Sequence, residues 1–329
     1  MGVTIAPLQL AAEILKRKKT NRRRGLDVAW SNANEFISLK RGYPIMVAGT
    51  AGVGKTEIVA DIAINAAIMH GFKICWLSPE MGDRYEITEQ IIEKLSQGKV
   101  LEANENSLTD DETIEILTWI NKHVRIIDPT VSWKGTMDGL AMNIDNLFKA
   151  IQESEQEMGS KFDMIIIDPF NELDIDWSNI MNSVKTELDA LLWWAKKNNY
   201  IPILTNHVTD VQEIRYTAES KLTYMISPPA KKEKWAYGQQ WARKGYQMIL
   251  VYEPHKAMQE DKANDGDKEM EHSIEHFHNV REIYVQKSKP KGVGKTGMFR
   301  LFYDRKKQRY YNIDSLNYRI GMPGIKITE

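Results

Sequence analysis

The chain has 329 residues, 42% of them hydrophobic and 27% charged, with a formal net charge of −1. That composition describes a globular protein with apolar material for a large core, and it excludes a bulk polycation, so any nucleic-acid contact must rest on a local cationic patch. No apolar run reaches the ~20 residues that span a bilayer. No signal-peptide pattern opens the chain, and the one cysteine, Cys75, falls within an apolar run, which excludes a disulfide framework and favours a cytoplasmic setting.

In chain order, residues 8–19 set Leu8, Ala11, Ala12 and Leu15 on one helical face, with a basic stretch at Lys16–Lys19 and again at Arg22–Arg24. This reads either as a solvated helix or as an arm that docks on a neighbouring subunit. The apolar strand Tyr43–Ala48 then runs into Gly49, Thr50, Ala51, Gly52, Val53, Gly54, Lys55 and Thr56, a complete GxxxxGK[ST] phosphate loop. The glycines let backbone N–H groups turn inward around a triphosphate, Lys55 reaches the β- and γ-phosphates, and the Thr56 hydroxyl serves Mg²⁺. The stretch from Lys55 to about His70 has no Gly or Pro and reads as a buried helix whose N-terminus faces the anion.

Strand and helix alternate beyond it: Phe72–Leu77, helices, Val124–Asp128, a helix near Asp138–Glu157, Asp163–Asp168, a helix near Ser178–Lys197, and Ile201–Asn206. The strands are continuous apolar runs, the pattern of a mostly parallel sheet flanked by helices on both faces. Residues 208–238 carry mixed charge and Pro228-Pro229 and read as long loops. Gln247–Tyr252, Val280–Gln286 and Met298–Tyr303 return as strands, the last two as a C-terminal β-hairpin. The polar stretch 254–279 reads as a solvated insertion, with His272 and His276 as a less favoured metal pair. A second Gly-Lys-Thr at 294–296 lacks the leading glycine and the following helix and is a decoy.

In a parallel sheet, ligands gather at the carboxyl ends of the strands. Asp168 ends one apolar strand, as a carboxylate holding Mg²⁺ and its water shell does. Glu80 ends another and is the favoured general base over Glu172. His207 ends a third, where it can sense the γ-phosphate.

Gly49–Thr56, Ser78-Pro79-Glu80-Met81, Asp168-Pro169-Phe170-Asn171-Glu172, the strand ending at His207, and Lys287-Ser288-Lys289 together resemble the RecA-like helicase domain of the DnaB superfamily, with most likeness to the Twinkle and phage primase-helicase branch. The resemblance covers roughly residues 25–312. It implies an ATP- and Mg²⁺-dependent DNA helicase that assembles as a homo-hexameric ring, holds ATP between subunits and translocates on single-stranded DNA. It assigns Glu80 as catalytic glutamate, His207 as phosphate sensor, and Lys287 and Lys289 as cations presented in trans. Arginine is usual at the position of Lys289, so a finger elsewhere, such as Arg300, stays open. Glu253 stands near a position that commonly holds arginine, and Tyr303 is the aromatic set against the nucleobase.

Arg215, Lys221, Lys231, Lys232 and Lys234, interleaved with Tyr216, Tyr224 and Trp235, suit single-strand binding in the channel. The expected organisation is an arm over 1–24, an ATPase domain over 25–315 and a tail over 316–329. No room remains for a primase, so a separate primase or loader is the expected partner, and no membrane is. The alternative reading is a RecA-like DNA-binding ATPase that acts as loader or scaffold without unwinding.

Overall fold

Apolar runs set the sheet. Ile45–Gly49 (β1) is buried at every position, as a strand covered on both faces must be. The structure, a computed structural model, describes residues 11–20, 24–80, 84–96, 98–99, 101, 107–128, 142–174, 177–209, 211–276 and 279–312. Before β1, helix α1 (Ala11–Thr20) leaves Ile14 and Leu15 exposed. Leu8, Arg22, Arg23 and the tail over 316–329 lie outside the described residues.

After β1 come α2 (Lys55–His70), β2 (Ile74–Leu77), α3 (Arg84–Ser96), α4 (Asp110–His123), β3 (Val124–Ile127), α5 (Ile144–Met158), β4 (Met164–Ile167), α6 (Ile180–Asn198) and β5 (Ile201–His207). Then follow β6 (Ile214–Thr217), β7 (Thr223–Ile226), α7 (Gly238–Lys244), β8 (Gln247–Tyr252), α8 (Lys256–Asn264), α9 (Lys268–Glu275), β9 (Asn279–Ser288), β10 (Gly297–Asp304) and β11 (Arg309–Tyr311). Among the described residues one sheet of nine strands has the order β11-β10-β9-β8-β1-β5-β4-β2-β3. The strands from β8 to β3 run parallel, and β9, β10 and β11 follow at the edge, each antiparallel to its neighbour.

Alternation along each strand divides the core. Ile45 and Val47 of β1 pack with Ile58 of α2, Ile91 of α3 and Ile116 of α4, whereas Met46 and Ala48 pack on the other face with Leu147 of α5, Leu188 of α6 and Trp241 of α7. α4 begins with a capping box, in which the Thr109 hydroxyl accepts from Glu112 N at 3.2 Å and the Glu112 carboxylate accepts from Thr109 N at 3.0 Å.

The antiparallel end is fastened differently. β11 docks on α2 through buried charge: Arg309 Nε lies 2.5 Å from Asp61 Oδ1, and Tyr310 N donates to Asp61 Oδ2 at 2.6 Å. Lys94 of α3, fully buried, joins the set at 2.5 Å from Glu57 and 3.8 Å from Asp61.

Two expectations need correction. Residues 208–238 are not simply loops, because Ile214–Thr217 pairs antiparallel with Thr223–Ile226 and α7 follows. The short alternating strands of a two-stranded ribbon leave no long apolar run to read. The insertion is two packed helices: Asp267 caps α9, and fully buried Met270 meets Val280, Phe302 and Tyr311. The histidines do not form a metal pair there: His272 Nε2 lies 2.9 Å from the Tyr311 hydroxyl, and His276 Nδ1 lies 3.1 Å from the carbonyl of His272. Among the described residues no cluster of three or more His, Cys, Asp or Glu could hold a metal. β11, too short for the sequence pattern to reveal, was not anticipated. Among the described residues no helix is long and apolar enough to cross a membrane.

Candidate functional site at the carboxyl edge of the sheet

β1 delivers Gly49 to the sheet edge, where a side chain has no room: a Cβ would stand 2.6 Å from Val53 Cγ1 and 2.8 Å from the carbonyl of Val251. The loop closes at Gly54, whose φ of 91° is the left-handed region that glycine adopts without strain. α2 starts at the next residue, so its free N–H groups point into the loop and favour an anion.

Lys55, 7% exposed, folds back over the loop and donates to the carbonyls of Thr50 at 3.0 Å and Gly49 at 3.3 Å. Burial lowers its pKa, against the opposing pull of Asp168 and Glu80. Its ammonium also lies 3.4 Å from His207 Nδ1, and His207 Nε2 lies 3.7 Å from Glu80 Oε2. His207 therefore bridges the phosphate-loop lysine and the carboxylate at the tip of β2. Lys55 and Glu80 reach this point from separate elements, with His207 of β5 between them. Glu172 is placed otherwise, its Oε1 accepting from Asn171 Nδ2 at 3.1 Å.

Asp168 is buried at the tip of β4, and its Oδ1 accepts the Thr205 hydroxyl of β5. Burial raises its pKa; the Thr205 and Thr56 hydroxyls and Lys55 oppose the shift. Oδ2 is buried without a hydrogen-bond donor among the described residues. A buried carboxylate oxygen with no donor, beside a threonine hydroxyl, suits a hard cation such as Mg²⁺, which takes one or two protein oxygens and completes its shell with phosphate and water. Ser78 ties the β2 and β4 tips together by donating to the carbonyl of Asp168 at 2.7 Å.

The back of the phosphate loop is held by residues the sequence reading missed. Arg281 of β9 donates from Nε to the carbonyl of Val53 at 2.7 Å and pairs with Glu253 at 2.9 Å. The Tyr310 hydroxyl stands 2.7 Å from where a Cβ would sit on Gly54. The adjacent charges Arg281 and Glu282 within the strand Val280–Gln286 were the available signal there, as the hydroxyl of Thr205 was within β5. Tyr303 is half-buried, with its hydroxyl 3.3 Å from Glu57 and its ring against Tyr310 and beneath Lys94.

The β5 tip passes directly into the cationic segment. The carbonyl of His207 accepts from Ala236 N at 2.8 Å, and Thr209 N donates to the carbonyl of Lys234 at 2.7 Å. Lys231 and Lys234 are exposed, Lys232 is partly so, and Arg215 and Lys221 are exposed on the β6–β7 hairpin. The expected interleaved aromatics are not all available. Trp235 is 1% exposed and packs near Trp241; Tyr216 donates to Asp261 at 2.5 Å, and Tyr224 lies against His255.

The remaining cations sit elsewhere. Ser288 pairs with Gln247 and Gln247 with Ile45, which sets Lys287 and Lys289 at the amino edge of the parallel strands. The length of β1, roughly 17 Å, separates them from their own phosphate loop. Lys287 does not project freely: its ammonium donates to the carbonyl of Ala242 at the end of α7. Arg300 cannot serve as a finger, because it is held among Asp267, Glu269 and Glu282 at 10% exposure.

No protein-family model matches the chain. Over 94 residues it is 32% identical to a probable plasmid replicative DNA helicase of Chlamydia psittaci, a match that takes in 28% of this chain and 20% of that protein. Among solved structures it is similar to a DnaB-like replicative helicase described with its interactions with primase, at a TM-score of 0.66 and 14% identity over 94% of this chain and 68% of that one. A second solved structure, an isolated ATPase domain, matches equally, at 0.66 and 14%, over 94% of this chain and 100% of that domain. The fold is thus that of the RecA-like ATPase domains of DnaB-like helicases, as the sequence motifs led one to expect.

Proposed function

We propose that this chain is an ATP-dependent DNA helicase of the DnaB type, which assembles as a homo-hexameric ring and moves on single-stranded DNA. One observation carries the reading: Lys55, His207, Glu80 and Asp168 converge at one edge of the sheet, while Lys289 stands at the other, out of reach of its own phosphate loop. Such a chain holds two halves of different sites, which a head-to-tail ring brings together. The likeness to the plasmid helicase and to the two solved structures supports the same reading.

In this scheme the 49–56 loop and Lys55 hold the triphosphate. Asp168 and Thr56 hold Mg²⁺, which neutralises phosphate charge when bound. Glu80 accepts a proton from the water that attacks the γ-phosphorus as the bond to the bridging oxygen of the β-phosphate breaks. His207 lies between Lys55 and Glu80, so loss of the γ-phosphate changes its surroundings first. Its carbonyl bond to Ala236 passes the change to Lys231–Lys234. Those lysines, with Arg215 and Lys221, contact the phosphates of the strand. Tyr303 and Tyr310 form the aromatic wall beside the start of α2 on the nucleotide's base side. Action on replicating DNA in the cytoplasm, with a separate primase or loader, completes the reading.

The test is unwinding of a forked duplex with ATP, beside ATPase activity with and without single-stranded DNA. Unwinding by the wild type and its loss in Glu80→Gln are expected. DNA-stimulated ATPase activity without unwinding would favour a loader or scaffold, the reading to which the lysine at 289 lends support. ATPase activity that is full in a monomer and indifferent to DNA would refute both.

A further inference from the structure

The amino edge of the sheet holds a cleft whose chemistry exceeds the two lysines found in the sequence. A cavity of about 430 Å³ lies between α6, the end of α7 and the segment after β9. Lys196, Arg243, Lys244, Lys287 and Lys289 line it, with Asp189 the one carboxylate among the lining residues. Asp189 is taken by Lys244. Lys196, Arg243 and Lys289 have no carboxylate partner among the described residues, and Arg243 and Lys289 are exposed.

Like charges gathered without a counter-charge repel one another, and the arrangement is relieved when an anion enters. The pKa of Lys287 is lowered first by its burial and then by the charges of Lys289 and Lys232. Lys287 also has a geometric effect. By donating to the carbonyls of Ala242 and, at 3.5 Å, Arg243, it pins the last turn of α7 to β9 and holds Arg243 in the cleft that Lys289 also lines. Trp193, 65% exposed, lines the same cleft.

The anion cannot be this subunit's own nucleotide, which would lie at the opposite edge. Nor can Arg300 supply a guanidinium, being buried among its three carboxylates. We infer that Arg243 reaches across the subunit boundary with Lys289 and supplies the guanidinium that the finger position lacks, binding the terminal phosphate of the nucleotide held by a second copy of the chain. A planar fork can grip two phosphate oxygens where a lysine offers a point charge, so the two cations together stabilise charge that develops in hydrolysis. Lys287 is then a positioning residue that acts through Arg243. This inference rests on the composite-site reading above.

The experiment uses the full chain with Arg243→Ala, Arg243→Lys, Lys289→Ala and Glu80→Gln, each alone and in 1:1 mixtures with Glu80→Gln. Because Arg243 is exposed, an unchanged Tm and unchanged ring assembly by mass photometry are expected for its variants. Arg243→Ala should lower kcat about 100-fold while nucleotide affinity stays put, the split expected of a group that acts on the transition state. Mixing it with Glu80→Gln should restore activity at about a quarter of the interfaces, those where an intact carboxylate faces an intact arginine. Arg243→Lys should remain well below wild type. Near-normal kcat in Arg243→Ala, full activity in Arg243→Lys, or no rescue on mixing while Lys289→Ala is rescued would each overturn the inference and leave the ring reading standing. Failure of rescue for Lys289→Ala as well would remove the composite site itself.

Discussion

The two edges of the parallel sheet differ in how they treat charge. At the carboxyl edge, Lys55 and Asp168 are buried and face each other's field, with His207 and Glu80 completing a mutually compensated set. At the amino edge, Arg243 and Lys289 face an open cleft with no carboxylate of their own. In the proposed ring, the compensated set is the half-site that holds the nucleotide, and the uncompensated one is offered to the nucleotide of a neighbour. On that reading, charge balance tells the two half-sites apart.

The largest effect should come from breaking the carboxyl edge. Lys55→Ala removes the cation that folds over the phosphate loop, and a loss of roughly 1,000-fold in ATP hydrolysis is expected, with nucleotide affinity falling too. Lys289→Ala breaks the amino edge instead and should lower kcat about 100-fold with affinity retained. Equal losses of affinity in both variants, measured with a fluorescent nucleotide, would erase the distinction between the edges.

A structural control lies outside both. Asp61→Ala leaves Arg309 and Lys94 buried without their shared counter-charge, and a cost of about 3–5 kcal/mol in denaturant unfolding is expected. Because β11 carries Tyr310 to the back of the phosphate loop, weaker nucleotide binding should accompany that loss.

Asp168→Asn sharpens the comparison through stability. Burial raises the pKa of Asp168, so ionising it costs the folded state in the absence of ligand. The sign follows: a raised carboxylate pKa favours folding below the unfolded value and loses that advantage as pH rises through the folded value. The nucleotide-free variant should therefore melt above wild type at neutral pH, and the gap should close as pH falls into the ordinary carboxylate range. A lower Tm at pH 7 would contradict the burial argument. The smallest effect concerns DNA: Lys221→Ala should reduce the slope of log affinity against log salt by about 0.7, the share of one phosphate on a single strand.

Much of the carboxyl edge could be read in advance because each of its groups ends a local pattern. Lys55 and Thr56 close a loop motif, and Asp168 and His207 each follow an unbroken apolar strand. The segment after His207 was less legible, since a two-stranded ribbon with exposed Ile214 and Met225 has no buried face to imprint a period. In sequence Trp235 looks like a free stacking surface, because nothing in its neighbours shows that it packs under α7. Arg300 looks open as a finger for a similar reason. Its three carboxylates come from β9 and the loop and first turn of α9, distant in sequence.

Sequence alone determined the alternation of strands and helices from β1 to β5, the phosphate loop and the polar residues at the tips of β2, β4 and β5, since periodicity and motif spacing are local properties of a chain. Only the tertiary structure decided that Arg281 and Tyr310 back the loop, that His207 links Lys55 to Glu80, and that Arg243 joins Lys289 in one cleft. These depend on which strands become neighbours and on where charge stays unpaired, and both are set by packing between segments far apart in the chain.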